Sequence, residues 1–458
     1  MKILVAMSGG VDSSVCAALL TEKGHECIGC TMKLYDNEDA GVPKEHTCCS
    51  LDDVEDARSV AMHLGMPYFV FNFTSDFREK IIDRFVAGYL AGETPNPCID
   101  CNRFMKFDRL FDRADVLECD HIATGHYARA VNENGKFLLK KALDPSKDQS
   151  YVLYSMTQKQ LSRTLFPLGE LRKSDVRGIA ASHGFLNADK PDSQDICFVP
   201  DGDYAKVIEL HTGKPTLPGN FVDRDGKILG RHNGIIRYTV GQHKKLGIPL
   251  PGARYVCEIR PESNEVVLGE EKDLYGCTVK VGNINWIAGT PPADNFRCSA
   301  KLRYRQPEKP CTVTVNPDGT ATLVSDEPQR AVTPGQAAVF YDGDTVLGGG
   351  LDAVVAAATH CLLIHDVLQC DVVEIVVDDS LQPLPDGERS ALPAARTGVW
   401  SLLHAGNGRK AALCDAQDVT DRVLTGRLGK AIPALKSAAC PEKPGIVKKR
   451  NYLLEIFF

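Results

Sequence analysis

The sequence predicts an α/β protein: a doubly wound parallel sheet, then a small central α+β domain and a β-barrel domain. Three observations carry that prediction. The first third alternates short β-rich runs with helix-length segments, as a parallel sheet with crossover helices requires. From about Pro200, Gly and Pro become frequent and the β-rich pieces shorten. Between Gly276 and Gly350, brief runs such as Cys311-Thr312-Val313-Thr314-Val315 and Ala321-Thr322-Leu323-Val324 read as barrel strands.

Taken in order, residues 2–6 read as a strand, 11–23 as a helix and 25–33 as a second strand, with a polar loop over 37–47. Residues 51–64 read as a helix, 68–73 as a strand and 76–91 as a helix. Residues 104–117 read as a helix and 120–125 as a strand. In the central region, 234–240 and 255–260 read as strands. The expected domains are 1–200, 201–272 and 273–352, with 353–458 as an appended segment of unassigned role. No internal repeat is present.

Apolar content of 43% and charged content of 25% are ordinary for a globular chain. A net charge of −7 and a pI near 6.0 argue against nonspecific coating of nucleic acid, while leaving room for a local basic face. Met1 leads straight into a strand, so no secretory signal is expected. The apolar stretch 353–377 is interrupted by His365, Asp366, Asp371 and Glu374, which disfavours a membrane span. Seventeen cysteines without a leader point to a reducing compartment, and the expected location is cytoplasmic.

Ser8-Gly9-Gly10-Val11-Asp12-Ser13-Ser14 follows the first strand and opens the first helix. Two glycines allow close backbone approach to an anion, and the helix start offers amides and the positive dipole end. Asp12 is placed to hold the magnesium that accompanies a nucleotide. The same residues would also serve as an ordinary helix cap. Without a Gly-Lys-Ser/Thr ending, transfer of a γ-phosphoryl group is not implied. The segment resembles the pyrophosphate loop of the N-type ATP pyrophosphatases, of the adenine nucleotide α-hydrolase-like fold, which cleave ATP to AMP and pyrophosphate while adenylating a substrate oxygen.

Thr94-Pro95-Asn96-Pro97-Cys98-Ile99-Asp100-Cys101-Asn102-Arg103 reads as a rigid, non-helical loop feeding a helix near Phe104. A thiol there, beside Arg103 and Lys106, should have its thiolate favoured by the dipole and the cations. Cys197 sits in a second polar context, Asp192-Ser193-Gln194-Asp195-Ile196-Cys197-Phe198. Cys16, Cys27 and Cys257 lie in apolar patterns and read as core, whereas Cys48-Cys49 is ambiguous.

Together these segments resemble the bacterial tRNA-specific 2-thiouridylase family over residues 1 to about 350. Further matching motifs are Gly125-His126-Tyr127-Ala128-Arg129, Lys147-Asp148-Gln149-Ser150-Tyr151, Tyr238-Thr239-Val240-Gly241-Gln242 and Arg303-Tyr304-Arg305-Gln306. The resemblance implies an enzyme that uses ATP with Mg2+ to adenylate the C2 carbonyl oxygen of the wobble uridine of tRNA and replaces that oxygen with sulfur. It implies a persulfide on Cys197, supplied by a cysteine desulfurase or a relay protein, and Cys101 as the partner thiol. ATP would be bound by Ala6, Met7, Ser8, Gly9, Gly10, Val11, Asp12 and Ser13, with Met32 and Gly125 at the adenine. Asn96, Pro97 and Cys98 would face the target base. His126, Asp148, Gln149, Ser150, Arg303, Tyr304 and Gln336 would touch the tRNA. Some family members carry aspartate where this chain has Cys98, so an acid–base role there does not transfer. Cys98, Cys101 and Cys197 also offer three thiolates for an iron–sulfur cluster, the less favoured sulfur route; otherwise no metal site is expected. The rival classes are an ATP-dependent amidating synthetase, which has no use for these cysteines, and a noncatalytic tRNA-binding protein, which has no use for an intact loop with Asp12.

Overall fold

The computed structural model describes residues 1–35, 51–191, 196–199, 201–250, 252–356, 402–405 and 409–412. The expected loop over 37–47, Cys48-Cys49 and residues 192–195 lie outside them. The chain divides into two compact units, Met1–Leu362 and Leu363–Phe458.

The first unit opens with β1 (Lys2–Ala6), α1 (Val11–Glu22), β2 (Glu26–Lys33), α2 (Leu51–His63), β3 (Tyr68–Asn72) and β4 (His121–Ala123). Next come β5 (Ala128–Glu133), β6 (Lys136–Lys141) and β7 (Thr164–Leu165). Strands β1, β2, β3, β4 and β7 form one parallel sheet in the order β3-β2-β1-β4-β7, with Ile3 opposite both Cys27 and His121. The central strand is apolar on both faces, as a sheet covered on both sides demands. Ile3 and Val5 pack with Val15, Cys16, Ala57, Val60 and Val176 of the helices on one side. Leu4 packs with Ile99, Phe107, Leu110 and Ala114 on the other. The chain builds outward from β1 to β3, then returns to place β4 on the opposite side. Such a reversal opens a crevice at the carboxyl ends of β1 and β4, where ligands bind in open α/β sheets.

One helical run reaches from Pro97 to Val116, with wide π-type turns over Cys101–Arg109. The expectation of a non-helical loop up to Phe104 was wrong by two turns. Pro97 sits in the first turn, where its missing N–H costs nothing, and Asn96 caps the run by accepting from the Cys98 amide at 3.1 Å.

The central region forms a four-stranded sheet, β10-β11-β8-β9, from β8 (Gly219–Val222), β9 (Ile228–His232), β10 (Tyr255–Arg260) and β11 (Glu265–Gly269). The strand expected over 234–240 is instead a 3-10 turn, Ile235–Arg237. Gly234 enters it at φ +111°, a conformation no strand residue adopts, and its amide donates to His232 Nδ1 at 3.0 Å.

Strands β12 (Tyr275–Trp286), β13 (Asn295–Lys301), β14 (Lys309–Val315), β15 (Ala321–Arg330), β16 (Ala338–Asp342) and β17 (Thr345–Ala356) pair in the order β12-β15-β14-β13-β16-β17. Pairing of β12 with β17 closes them into a six-stranded antiparallel barrel around Val279, Val281, Val313, Leu323 and Phe340. The hairpin β5–β6, unforeseen in the sequence, extends the barrel sheet through β6 on β17, with Thr345 opposite Lys140. In the second unit, β18 (Leu402–Ala405) and β19 (Arg409–Ala412) form an antiparallel pair. Among the described residues no helix is long and apolar enough to cross a membrane.

Candidate functional site

At the carboxyl end of β1 the chain turns through Met7, Ser8 and Gly9 into α1. Gly9 has φ +76°, and a Cβ there would lie 2.3 Å from the Asp53 carbonyl oxygen, so only glycine fits. Gly10 is the N-cap in extended conformation, and no side chain caps α1. The first-turn amides of α1 are thereby left facing the crevice, which is what an anion requires. Ser13 Oγ donates to the Gly10 carbonyl at 2.9 Å and accepts from the Ser8 amide at 3.1 Å, drawing the loop into a closed turn.

Asp12, the expected magnesium ligand, is engaged by two side chains of the protein. Its carboxylate accepts from Lys173 Nζ at 2.7 and 2.8 Å and from the Tyr127 hydroxyl at 2.8 Å. Lys190 bridges Asp53 and Asp56 at 2.6 and 2.7 Å, and Asn187 donates to the Gly9 carbonyl and Ser14 Oγ, each at 2.9 Å. Lys173, Lys190 and Asn187 went unnoticed in the sequence, because each reaches the loop across more than a hundred residues with no local motif. Asn187 is buried, and its Oδ1 has no hydrogen-bond partner among the described residues.

The side chains of the remaining nucleotide candidates are chiefly buried or absent. Met7 and Val11 are buried, with the Met7 carbonyl accepting from Thr31 Oγ1 at 2.6 Å. A Cβ on Gly125 would stand 2.9 Å from the Asp12 carbonyl carbon and the Ser13 nitrogen, so this glycine lets β4 close onto the start of α1. Met32, at the end of β2, packs against the Leu4 cluster and against a second apolar cluster around Phe77, Phe85 and Phe198.

Cys101 and Cys197 pack against the same apolar cluster, together with Met32, Phe71, Phe104 and Ile196 around Phe77, Phe85 and Phe198. The Cys197 carbonyl accepts from the Tyr35 hydroxyl at 2.6 Å. Contrary to expectation, the Cys101 thiol is not acidified: burial pushes it up to about 11, and Lys106 only partly offsets that. Cys101 lies in the second turn of its helix rather than at the start, past the reach of the dipole. Cys98, in the first turn, is exposed. Among the described residues, no three of the His, Cys, Asp and Glu side chains converge as a ligand set. Cys16 is buried as expected, Cys27 likewise, and Cys257 is half-buried.

The loop before Cys98 is braced from the barrel. The Thr94 amide donates to the Pro334 carbonyl at 2.9 Å, and Gln336 Nε2 donates to the Thr94 carbonyl. A cavity of about 320 Å³ beside it is lined by Pro95, Asn96, Ile99, Asp100, Gly335 and Leu351. A larger cleft, about 880 Å³, lies between the cysteine helix and the barrel, with Arg103, Phe104, Tyr154 and Lys280 in its walls. Of the residues expected on tRNA, Tyr304 is exposed, whereas His126 and Ser150 are buried. Asp148 accepts from the Ala142 amide at 3.0 Å and from Ser150 Oγ at 2.8 Å, and Gln149 exchanges bonds with the Tyr127 backbone at 2.9 Å. The Arg303 guanidinium donates to the Val240 and Ala331 carbonyls and to Thr333 Oγ1, joining the central sheet region to the barrel.

Three family models match in register with this architecture. Residues 1–201 match the tRNA methyl transferase HUP domain, 206–270 the tRNA methyl transferase PRC-barrel domain, and 277–351 the aminomethyltransferase beta-barrel domain. The tRNA-specific 2-thiouridylase of Lachnoclostridium phytofermentans is 52% identical over 351 residues, which is 76% of this chain and 98% of that protein. The corresponding protein of Geotalea uraniireducens is 50% identical, over 76% of this chain and 94% of its own length. The chain belongs to the tRNA-specific 2-thiouridylase family. A solved 4-thiouridine synthetase–RNA complex with bound ATP aligns with TM-score 0.31 and 18% identity, over 46% of this chain and 50% of that one, a likeness too distant to bear on function. The thiouridylase relatives thus cover about three quarters of this chain, and the family models run to residue 351, within β17.

Proposed function

We propose that this protein is a tRNA sulfurtransferase that converts the wobble uridine of tRNA to 2-thiouridine at the expense of ATP. One observation carries the reading: Cys101 and Cys197 share one apolar cluster with Met32, at the end of the parallel sheet where the open helix start of α1 lies. ATP with Mg2+ would bind at the loop, where Gly10 caps α1 with no side-chain bond and leaves its first-turn amides to the phosphates. The uridine C2 oxygen attacks the α-phosphorus and pyrophosphate leaves, held by the amides that follow Gly10 with Lys173 and Lys190 beside them. The terminal sulfur of a Cys197 persulfide attacks C2 and AMP leaves with the oxygen. The Cys101 thiolate then attacks Cys197 Sγ; the S–S bond breaks, sulfur stays on the base, and a Cys101–Cys197 disulfide awaits a cellular reductant.

In this reading residues 1–200 form the ATP-pyrophosphatase domain, 201–272 a central tRNA-binding domain and 273–352 the barrel, with 353–458 appended. Asn96, Pro97 and Cys98 face the target base, and Tyr304 stacks on the RNA from the barrel side. His126, Asp148, Gln149, Ser150, Arg303 and Gln336 shape that surface from beneath. The sulfur donor is a persulfide-bearing protein, and the enzyme works in the cytoplasm.

The test is single-turnover thiolation with a persulfide donor, alongside pyrophosphate release. Cys101→Ser and Cys197→Ser should lose thiolation and keep tRNA-dependent pyrophosphate release, while Cys98→Ser keeps much of both. Thiolation by Cys197→Ser at the wild-type rate overturns the relay. Pyrophosphate release that needs ammonia or glutamine instead of tRNA would make the enzyme an amidating synthetase.

A further inference from the structure

The π-type stretch of the cysteine helix has a chemical consequence. Its ladder runs from residue i to i+5: the Leu110 amide donates back to the Met105 carbonyl. Such turns bring residues five apart onto one face and recur at functional sites. Here the residues are Cys101 and Lys106.

Lys106 is anchored from the other side. Its Nζ lies 3.4 Å from His126 Nε2, and His126 Nδ1 lies 2.8 Å from Thr124 Oγ1, just past the end of β4. His126 is buried, with the Phe107 and Phe166 rings each 6.1 Å from its own. Burial, and secondarily Lys106, pull this imidazole well below its ordinary range, so it stays neutral. A neutral ring facing an ammonium must accept at Nε2, which puts the proton on Nδ1, donating to Thr124.

We propose that Lys106 is the cation that holds the Cys101 thiolate, and that the Thr124–His126 pair is the bracket that positions it. The inference rests on the reading of Cys101 as the exchanging thiol. Cys101 gives its proton to solvent. The other groups facing Cys101 oppose ionisation: Cys98 and Asp100 on its own helix. Arg84 of the preceding helix is held on Asp100 at 2.9 Å. Tyr35 belongs to the apolar cluster against which Cys101 packs, and Cys197 packs on the same cluster. His126, expected on the tRNA, becomes a positioning residue.

The experiment is alkylation of the tRNA-free full-length protein by iodoacetamide from neutral to alkaline pH, with Cys101 and Cys98 peptides quantified separately by mass spectrometry. In Lys106→Met the Cys101 profile should move up by about one unit, roughly tenfold slower labelling at a given pH below the midpoint. Lys106→Arg should restore the wild-type profile, His126→Phe should shift Cys101 in the same direction by less, and the exposed Cys98 should keep its profile in all three. A Cys101 profile in Lys106→Met that matches wild type overturns the proposal, as does a shift that Lys106→Arg fails to restore. Should Lys106→Met melt early, Lys106→Gln must show the same shift or the proposal falls. Thiolation by Cys101→Ser at the wild-type rate would instead refute the sulfur relay, a result independent of the labelling profiles.

Discussion

Two helix starts, those of α1 and of the cysteine helix, are finished differently. Gly10 caps α1 without a side-chain bond, leaving the first-turn amides for an incoming anion. Asn96 caps the cysteine helix and takes the Cys98 amide for itself. The same dipole is therefore open to a ligand at one start and occupied at the other. The cysteine helix needs a different source of positive charge for its thiol, and Lys106 supplies it. What an N-terminus can do depends less on its dipole than on whether a side chain has already claimed its amides.

The largest expected effect tests the open start. Gly9→Ala drives a Cβ into the Asp53 carbonyl at a backbone angle that alanine resists. Pyrophosphate release should fall by more than about a hundredfold, with a lower melting temperature. At Gly10 a Cβ meets only Ser8 Oγ at 3.6 Å, so Gly10→Ala should melt like wild type. Any loss of turnover there measures how closely nucleotide approaches the backbone. Normal turnover in Gly9→Ala would mean that the loop does not bind as described.

Next in size is the pairing beneath that start. Asp12→Ala takes the carboxylate away from Lys173, whose side chain is only 11% exposed. Pyrophosphate release should drop by about ten- to a hundredfold, and Lys173→Met should do the same. The double variant should be little worse than either single one, since both remove one interaction. Additive losses would show that the two side chains act separately on the nucleotide.

Much of this contrast was legible in the sequence. The strand, two glycines and serine-rich helix start are local, and local patterns set β1, the loop and α1. The order of the motifs likewise pointed to the family. What was lost was long-range or depended on a proline read one way. Pro97 stands both in rigid loops and in the first turn of helices, and only the Asn96 cap separates the two cases. Residues 234–240 have strand composition, but Gly234 turns them into a 3-10 segment. The β5–β6 hairpin extends a sheet whose nearest strand, β17, lies two hundred residues onward. Lys173 and Lys190 meet the loop only through the fold. Desolvation of Cys101 was invisible for the same reason: the sequence shows its charged neighbours and hides its apolar ones.

The closed start predicts a smaller effect. Asn96→Ala removes the bond to the Cys98 amide and should cost about 1 kcal/mol in denaturant unfolding. It should also free that amide, making the cysteine helix start resemble α1. Weak anion binding, read as a phosphate-dependent rise in melting temperature larger than in wild type, would then sharpen the comparison. An unchanged stability would mean that the cap contributes little and that Pro97 alone sets the start.

The smallest expected effect concerns the second unit. Strand β17 closes the barrel as far as Ala356, with Val355 opposite Val279 and Ala356 opposite Thr278. A cut after Leu351 therefore removes barrel pairing along with the tail, whereas a cut after Leu362 spares the whole first unit. The shorter protein should melt several degrees lower, because its β12 loses partners along one edge. The longer one should match the full chain in barrel stability, pyrophosphate release and thiolation with a persulfide donor. Both truncations discard 363–458, so a difference between them isolates the end of β17. If the cut after Leu362 folds but fails to thiolate while still releasing pyrophosphate, the second unit acts on the sulfur half of the reaction. If it fails in both, the second unit supports the open start as well.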